Sequence, residues 1–174
     1  MPDPDSGQQT AARSGEEFFR QAEQIAKAGK LDLAMHLYLE GIRRQPDAVA
    51  RGHQGLRRLS LRRLQQGGRP AGFLEQLNHR RAKDPLDALT NAEYLLAKDP
   101  QNLAHMLAAL KAARRLEAPA LIEWICQLLL GAMQKQDNPG REVRRQVAEA
   151  LRAVRPKARI GQLIDPGRGR PPAS

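Results

Sequence analysis

The sequence has few aromatic residues and one cysteine. Aromatic side chains make up 3% of the 174 residues, whereas apolar side chains reach 41%. Alanine and leucine must therefore supply most of a core, which favours closely packed helices over a β-sandwich. Cys126 has no partner for an intramolecular disulfide and lies in an apolar stretch, which predicts a small buried residue rather than a reactive thiol.

Long apolar runs and catalytic motifs are also missing from the sequence. No signal-peptide stretch precedes residue 15, and the best apolar run, 120–133, is interrupted by Glu123 and Gln127. We therefore expect a cytoplasmic protein without a membrane segment. The four histidines have no partners at metal-ligand spacing, no serine stands in a nucleophile elbow, and no phosphate-binding loop is present. The sequence thus predicts no enzyme, metal or cofactor.

Positive charge is abundant and unevenly placed. The formal net charge is +10, residues 51–83 hold nine Lys or Arg against one acid, and residues 141–174 hold nine against three. Such a distribution bears on partners and solubility rather than on the fold.

Small and bulky residues between Gly15 and Pro46 follow a fixed spacing. Small residues at regular positions allow two antiparallel helices to approach closely, bulky ones fill the seam, and proline ends the second helix. Ser14 and Glu17 have capping-box spacing, which predicts the helix start at Ser14. Counted from Gly15 as position 1, the residues are Phe18 at 4, Ala22 at 8, Ile25 at 11, Ala34 at 20, Tyr38 at 24, Gly41 at 27 and Pro46 at 32.

The spacing returns in part further along the chain. Residues 86–102 match the second helix of such a unit, with Ala92 at the position of the usual aromatic. Between the copies we expect one helix over about 47–66 and a short helix or irregular segment over 71–83. Further helices are expected over 102–115, 119–133 and 141–153. The sequence thus predicts a disordered segment 1–14, a helical domain 15–155 and a flexible basic tail 156–174.

These patterns resemble the tetratricopeptide repeat, and the chain as a whole resembles a group of bacterial proteins that contain it. The resemblance implies an all-α, right-handed solenoid of antiparallel helix pairs, with about six or seven helices. It also implies a non-catalytic scaffold that binds a protein segment on its concave face. The chain departs from the pattern at Gly52 and Gly55, where bulky residues are expected.

The resemblance allows one binding mode to be checked by residue. Repeats that grip a C-terminal carboxylate carry Lys and Asn in one unit and basic residues in the next, whereas the sequence has Phe19, Glu23, Ala50 and Gln54 there. The carboxylate clamp is therefore absent. We instead expect an apolar and mildly acidic partner-binding groove, lined by Phe19, Glu23, Ala26 and Lys27.

Five arginines of the third predicted helix form what we call the arginine row. Arg51, Arg58 and Arg62 share one helical face, flanked by Arg57 and Arg63. Such a row can neutralise the phosphates of RNA or an acidic partner. The alternative is a solvated face opposite the leucines, which is the commoner meaning of such a charge run. Aromatic residues for base stacking are missing between residues 45 and 72.

The tail contains Arg168 and Arg170 in an Arg-Gly-Arg-Pro sequence, which matches the core of a hook for the DNA minor groove. A match this short arises easily by chance. The sequence thus leaves three functions open: a protein-binding adaptor, a nucleic-acid- or ribosome-associated protein that uses the arginine row and the tail, and a regulatory subunit of an enzyme complex.

Overall fold

The regular structure of the described residues consists of helices. A computed structural model describes the backbone of residues 5–135 and 140–154, and within these ranges the side chains from residue 15 onward. This part of the chain forms eight α-helices and no strand, which confirms the all-α prediction for it. The right-handed solenoid of antiparallel pairs stays a prediction. The helices are α1 (Asp5–Lys27), α2 (Leu31–Arg44), α3 (Gln54–Gln65), α4 (Phe73–Asn78), α5 (Pro85–Lys98), α6 (Leu103–Arg115), α7 (Pro119–Met133) and α8 (Arg141–Val154).

The first helix begins earlier than predicted. α1 starts at Asp5 rather than at Ser14, and it therefore overlaps the predicted disordered segment 1–14, of which residues 1–4 lie outside the described residues. Capping-box spacing also occurs inside helices, and Ala11 and Ala12 favour helix. The turn after α1 lies where the sequence placed it, at Gly29, whose φ of +81° suits a residue without a Cβ.

Caps fix the starts of two later helices. The side chain of Asp84 accepts a hydrogen bond from the Asp87 amide at 2.8 Å, ahead of Pro85 in the first turn of α5. Asn102 caps α6 by accepting from the amides of Ala104 and His105. The predicted extents of α6 and α7 agree with the structure.

The third predicted helix, over 47–66, is wrong in its first turn. A π-helical turn at Val49–His53 precedes α3, and the amides of both Gly52 and His53 donate to the carbonyl of Ala48. The wider turn inserts an extra residue into the helical register. As a result Gly52 and His53 are both buried.

Two glycines of this region make room for aromatic rings. A Cβ on Gly52 would lie 2.9 Å from the Phe19 ring, and a Cβ on Gly55 would lie 2.6 Å from the Tyr38 ring. The two rings are stacked, with their centroids 6.1 Å apart. Bulky residues are absent from positions 52 and 55 because side chains of α1 and α2 occupy that space.

The buried apolar residues form two clusters, and α5 belongs to both. Leu89, Ala92 and Leu96 of α5 face the larger cluster, which draws on α6, α7 and α8. Tyr94, Leu95 and Ala97 face the smaller cluster, which draws on α1, α2 and α3. Residues 92–97 are all buried. A helix that is enclosed on nearly all sides is the joint between the two halves of the protein.

A buried ion pair crosses the same joint. His53 Nδ1 lies 2.8 Å from Glu93 Oε1, and His53 Nε2 lies 2.9 Å from the carbonyl oxygen of Pro46. Because a carbonyl oxygen only accepts hydrogen bonds, Nε2 carries a proton, and Nδ1 faces a carboxylate. Burial lowers the pKa of His53, but the charge and hydrogen bond of Glu93 outweigh it, so that this pKa is raised above its ordinary value of 6.5.

The single cysteine lies in α7, the most apolar of the helices. Cys126 is buried, which confirms the prediction, and burial raises the pKa of its thiol to about 11 against the opposing charge of Arg114. The thiol is therefore protonated at neutral pH and a poor nucleophile. Neither α7 nor any other helix within the described ranges is long and apolar enough to cross a membrane.

Overpacking at Ala34 tests the helix contact in the first repeat-like unit. Ala34 is fully buried in the smaller cluster. We expect Ala34→Leu to lower the free energy of unfolding by about 1–3 kcal/mol, because the added methylenes force neighbouring side chains apart. Chemical denaturation measures this loss of free energy of unfolding, and Ala120→Leu at an exposed site of α7 is the control. Equal stability of the two variants would contradict this packing.

The buried ion pair predicts a pH dependence of stability. His53 stabilises the fold fully below the unfolded pKa near 6.5, and this contribution is lost as pH rises through its raised folded pKa. We expect Glu93→Gln to cost about 1–3 kcal/mol at pH 6 and clearly less at pH 9. Urea unfolding across this range measures it. Burial lowers the pKa of His105, so its contribution to stability is instead lost as pH falls below 6.5.

The exposed Glu17→Gln is the matched control for the loss of one carboxylate. Stability profiles of Glu93→Gln and wild type that run parallel from pH 6 to pH 9 would show that the pair does not titrate in this range.

Candidate functional site

An open groove, the first groove, runs between α1 and α3 with α2 at its base. Glu23, Ala26 and Lys27 of α1 form one wall, and α3 forms the other. The cavity measures about 320 Å³, near the lower end of the sizes of small ligand sites. Its lining is completed by Tyr38, Gly55, Arg58, Leu59 and Arg62.

Three of the four residues that were predicted to bind a partner line this groove, and the fourth does not. Phe19 is 0% exposed and belongs to the smaller cluster. A Cβ on Gly41 would lie 2.3 Å from its ring, so Phe19 fills a space that two glycines leave open. The prediction that Phe19 contacts a partner is therefore wrong, because its ring lies in the buried space beside Gly41 and Gly52.

The charge of the first groove also differs from the expectation. Its lining contains Lys27, Arg58 and Arg62 against the single carboxylate of Glu23. The expected mildly acidic character followed from the α1 wall alone. Since α3 supplies two arginines to the opposite wall, the groove is basic.

Most of the arginine row is engaged within the protein. Arg51 lies 3.6 Å from Glu16 and 3.5 Å from Glu23, and Arg62 donates at 2.9 Å to the carbonyl of Ala26. Arg63 pairs with Asp32 at 3.0 Å. These side chains tie α3 and the π-helical turn to α1 and α2.

Arg57 and Arg58 have contrasting surroundings. Arg57 donates to the carbonyl of Pro100, and burial lowers its pKa although Glu93 opposes the shift. Arg58 is exposed and has no ion pair or hydrogen bond to the part of the chain that the structure describes. It is thus the one arginine of the row that a ligand meets without breaking an internal contact.

A polar network that the sequence did not reveal anchors α4. The Tyr94 hydroxyl donates to Glu75, and the ring of Tyr94 is stacked on His79 with centroids 4.1 Å apart. The bond from Tyr94 holds the pKa of the Glu75 carboxyl below its usual range. Lys98 lies between Glu75 and Asp32. The partners lie far apart along the chain, so no local spacing could have indicated them.

The histidines behave as structural residues. His53 pairs with Glu93, His79 stacks on Tyr94, His36 is exposed, and His105 is half-buried. Among the described side chains, no group of three or more His, Cys, Asp or Glu is arranged to hold a metal ion. Trp124 is half-buried, with its ring 6.0 Å from that of His53.

The predicted tail residues Arg168 and Arg170 lie outside the described residues. Comparison of the chain with protein-family models, with curated proteins and with solved structures finds no match in any of the three.

The placement of Phe19 in the core gives a direct test. We expect Phe19→Ala to lower the free energy of unfolding by about 3–5 kcal/mol, because it leaves a cavity between α1, α2 and the π-helical turn. Phe73→Ala is the matched control, since Phe73 is 78% exposed, and its cost should stay within about 0.5 kcal/mol. Thermal or urea unfolding measures the free energy of unfolding of both variants. Equal stability of Phe19→Ala and Phe73→Ala would contradict the burial of Phe19.

Proposed function

We propose that the chain is a non-catalytic protein-interaction module of the tetratricopeptide type, which binds a segment of another protein in the first groove. In this proposal α1 and α2 form one helix pair, and α3 opens the next pair of a right-handed solenoid. The first helices of successive pairs then line the concave face. A cytoplasmic location and kinship with bacterial repeat proteins belong to the same proposal.

The observation that carries the proposal is the combination of apolar and unpaired basic surface in the first groove. Ala26 is half-buried, and the largely buried side chains of Tyr38 and Leu59 form the apolar bottom of the groove. Arg58 supplies an exposed cation without an ion pair or hydrogen bond to the described residues. Peptide grooves of helical proteins combine such anchoring surface with a few polar groups that fix orientation. A segment with an apolar side chain next to a carboxylate complements this arrangement.

The burial of the His53–Glu93 pair supports a non-catalytic role. His53 and Glu93 are the best-aligned titratable pair, but the side chains are 0% and 3% exposed. A substrate therefore does not reach them. Several exposed carboxylates form ion pairs at the surface, such as Glu142 with Arg145.

Nucleic-acid binding through the arginine row has less support. Four of its five arginines bind carboxylates or backbone carbonyls of the protein itself. A phosphate would have to displace those contacts, which offsets part of the gain from counterion release. A regulatory-subunit role would use the same groove toward an enzyme and is thus a special case of the adaptor proposal.

Charge reversal at Arg58 tests the proposal. We expect Arg58→Glu to abolish capture of a protein partner from native lysate, since the substitution breaks no internal contact and places a carboxylate in the groove. Arg69→Glu is the control, because Arg69 is also exposed and lies outside the groove. Affinity capture with and without nuclease, followed by mass spectrometry, measures the difference. A partner lost on nuclease treatment, or retained equally by both variants, would count against the adaptor role.

A further inference from the structure

We propose that a second surface, the basic trough, binds an acidic amphipathic helix of a partner protein. The basic trough lies between α4 on one side and α5 and α6 on the other. It has an apolar floor that includes Ala92, Leu95 and Ala108, and a rim formed by Arg80, Lys111 and Arg115. It is distinct from the first groove, which α1, α2 and α3 form.

The floor of the trough is apolar. Its volume is about 370 Å³, and its α6 side consists largely of alanines, of which Ala104 and Ala108 are exposed and one helical turn apart. Because alanine extends no further than its Cβ, the backbone of another helix can approach closely there. Large side chains of that helix would fill the space between α4 and α6.

The rim of the trough carries positive charge that no ion pair with the described residues neutralises. Arg80, Lys111 and Arg115 are exposed, and none has an ion pair or side-chain hydrogen bond to the described residues. The charge of Asp99 opposes the lowering of the His105 pKa, and the charge of Lys111 contributes to lowering the pKa of Glu142. Neither carboxylate lines the trough. An apolar floor inside a basic rim complements a partner with one apolar face and flanking carboxylates.

α4 also carries exposed apolar side chains that lie outside the lining of the trough. Gln76 and His79 line the trough, and the same short helix carries Phe73 at 78% and Leu74 at 73% exposure. Leu77 is 44% exposed. These are among the most exposed large apolar side chains of the described residues, and clustered exposed apolar surface is characteristic of interaction sites.

The form of the partner follows from the recognition modes that this surface permits. The described chain has no strand whose edge could accept an extended peptide. The trough is lined by no Phe, Tyr or Trp side chain of the kind that stacks on proline-rich segments or bases. A helix satisfies its own backbone and needs only an apolar face and charged flanks. A second copy of the chain is a poor occupant because of its net charge of +10.

A designed peptide tests the proposal on the full-length protein. The probe is a fluorescent peptide of about 15 residues, with leucines at helical spacing and glutamates on both flanks. We expect binding by fluorescence anisotropy that weakens as salt rises from about 20 to about 200 mM. Lys111→Glu/Arg115→Glu should weaken binding at least about tenfold. Ala108→Glu should weaken it similarly by burying a charge on the floor.

Matched controls separate this surface from general charge effects and from the first groove. Arg20→Glu/Arg69→Glu makes the same charge change at exposed sites outside the trough and should bind the probe within about twofold of wild type. Helical circular dichroism confirms that each variant is folded. A lysine-flanked peptide and a scrambled glutamate peptide should not bind.

Four results would overturn the proposal, the last of them without affecting the first groove. The first is equal weakening by the trough variants and by Arg20→Glu/Arg69→Glu. The second is equal binding of the scrambled peptide. The third is no peptide binding together with trough-dependent binding of single-stranded RNA or of vesicles that contain phosphatidylserine. Loss of peptide binding in Arg58→Glu alone would place the acidic helix in the first groove and refute only the second site.

Discussion

The enclosure of α5 between two apolar clusters is the constraint on which the rest of the structure depends. Tyr94 and Leu95 pack toward α1–α3, whereas Leu89 and Leu96 pack toward α6–α8. Glu93 lies within this helix and is buried, so its charge requires a partner. His53 meets that requirement from the π-helical turn, which explains why the third helix departs from regular α-helical register just there.

The same joint positions both candidate binding surfaces. Tyr94 of α5 holds α4 through Glu75 and His79, and α4 is the wall of the basic trough. The π-helical turn sets the start of α3, whose Gly55 and Arg58 line the first groove. Each surface is therefore formed by helices from more than one place in the chain, held in position by contacts to α5 or to its partner His53.

Local patterns predicted the helices well and the sites in part. The bounds of α6, α7 and α8 followed from apolar periodicity, caps and proline, all of which act within a few residues. The opposite wall of the first groove comes from α3, which is distant in sequence from Glu23, so its basic character could not be predicted. The same holds for Glu93 and His53. Phe19 was misassigned because the repeat spacing counts Phe18, not Phe19, among the residues between the helices, and only the glycines at 41 and 52 show that the Phe19 ring fills that space.

The glycines that face Phe19 and Tyr38 constrain which residues can replace one another at distant positions of the chain. A side chain at position 52 or 55 has room only if the ring at position 19 or 38 becomes smaller. Such changes are tolerated together and selected against singly. We therefore expect covariation between positions 19 and 52, and likewise between 38 and 55, among descendants of this sequence. A larger side chain at one position of a pair would accompany a smaller one at the other, so that the space between the helices stays filled.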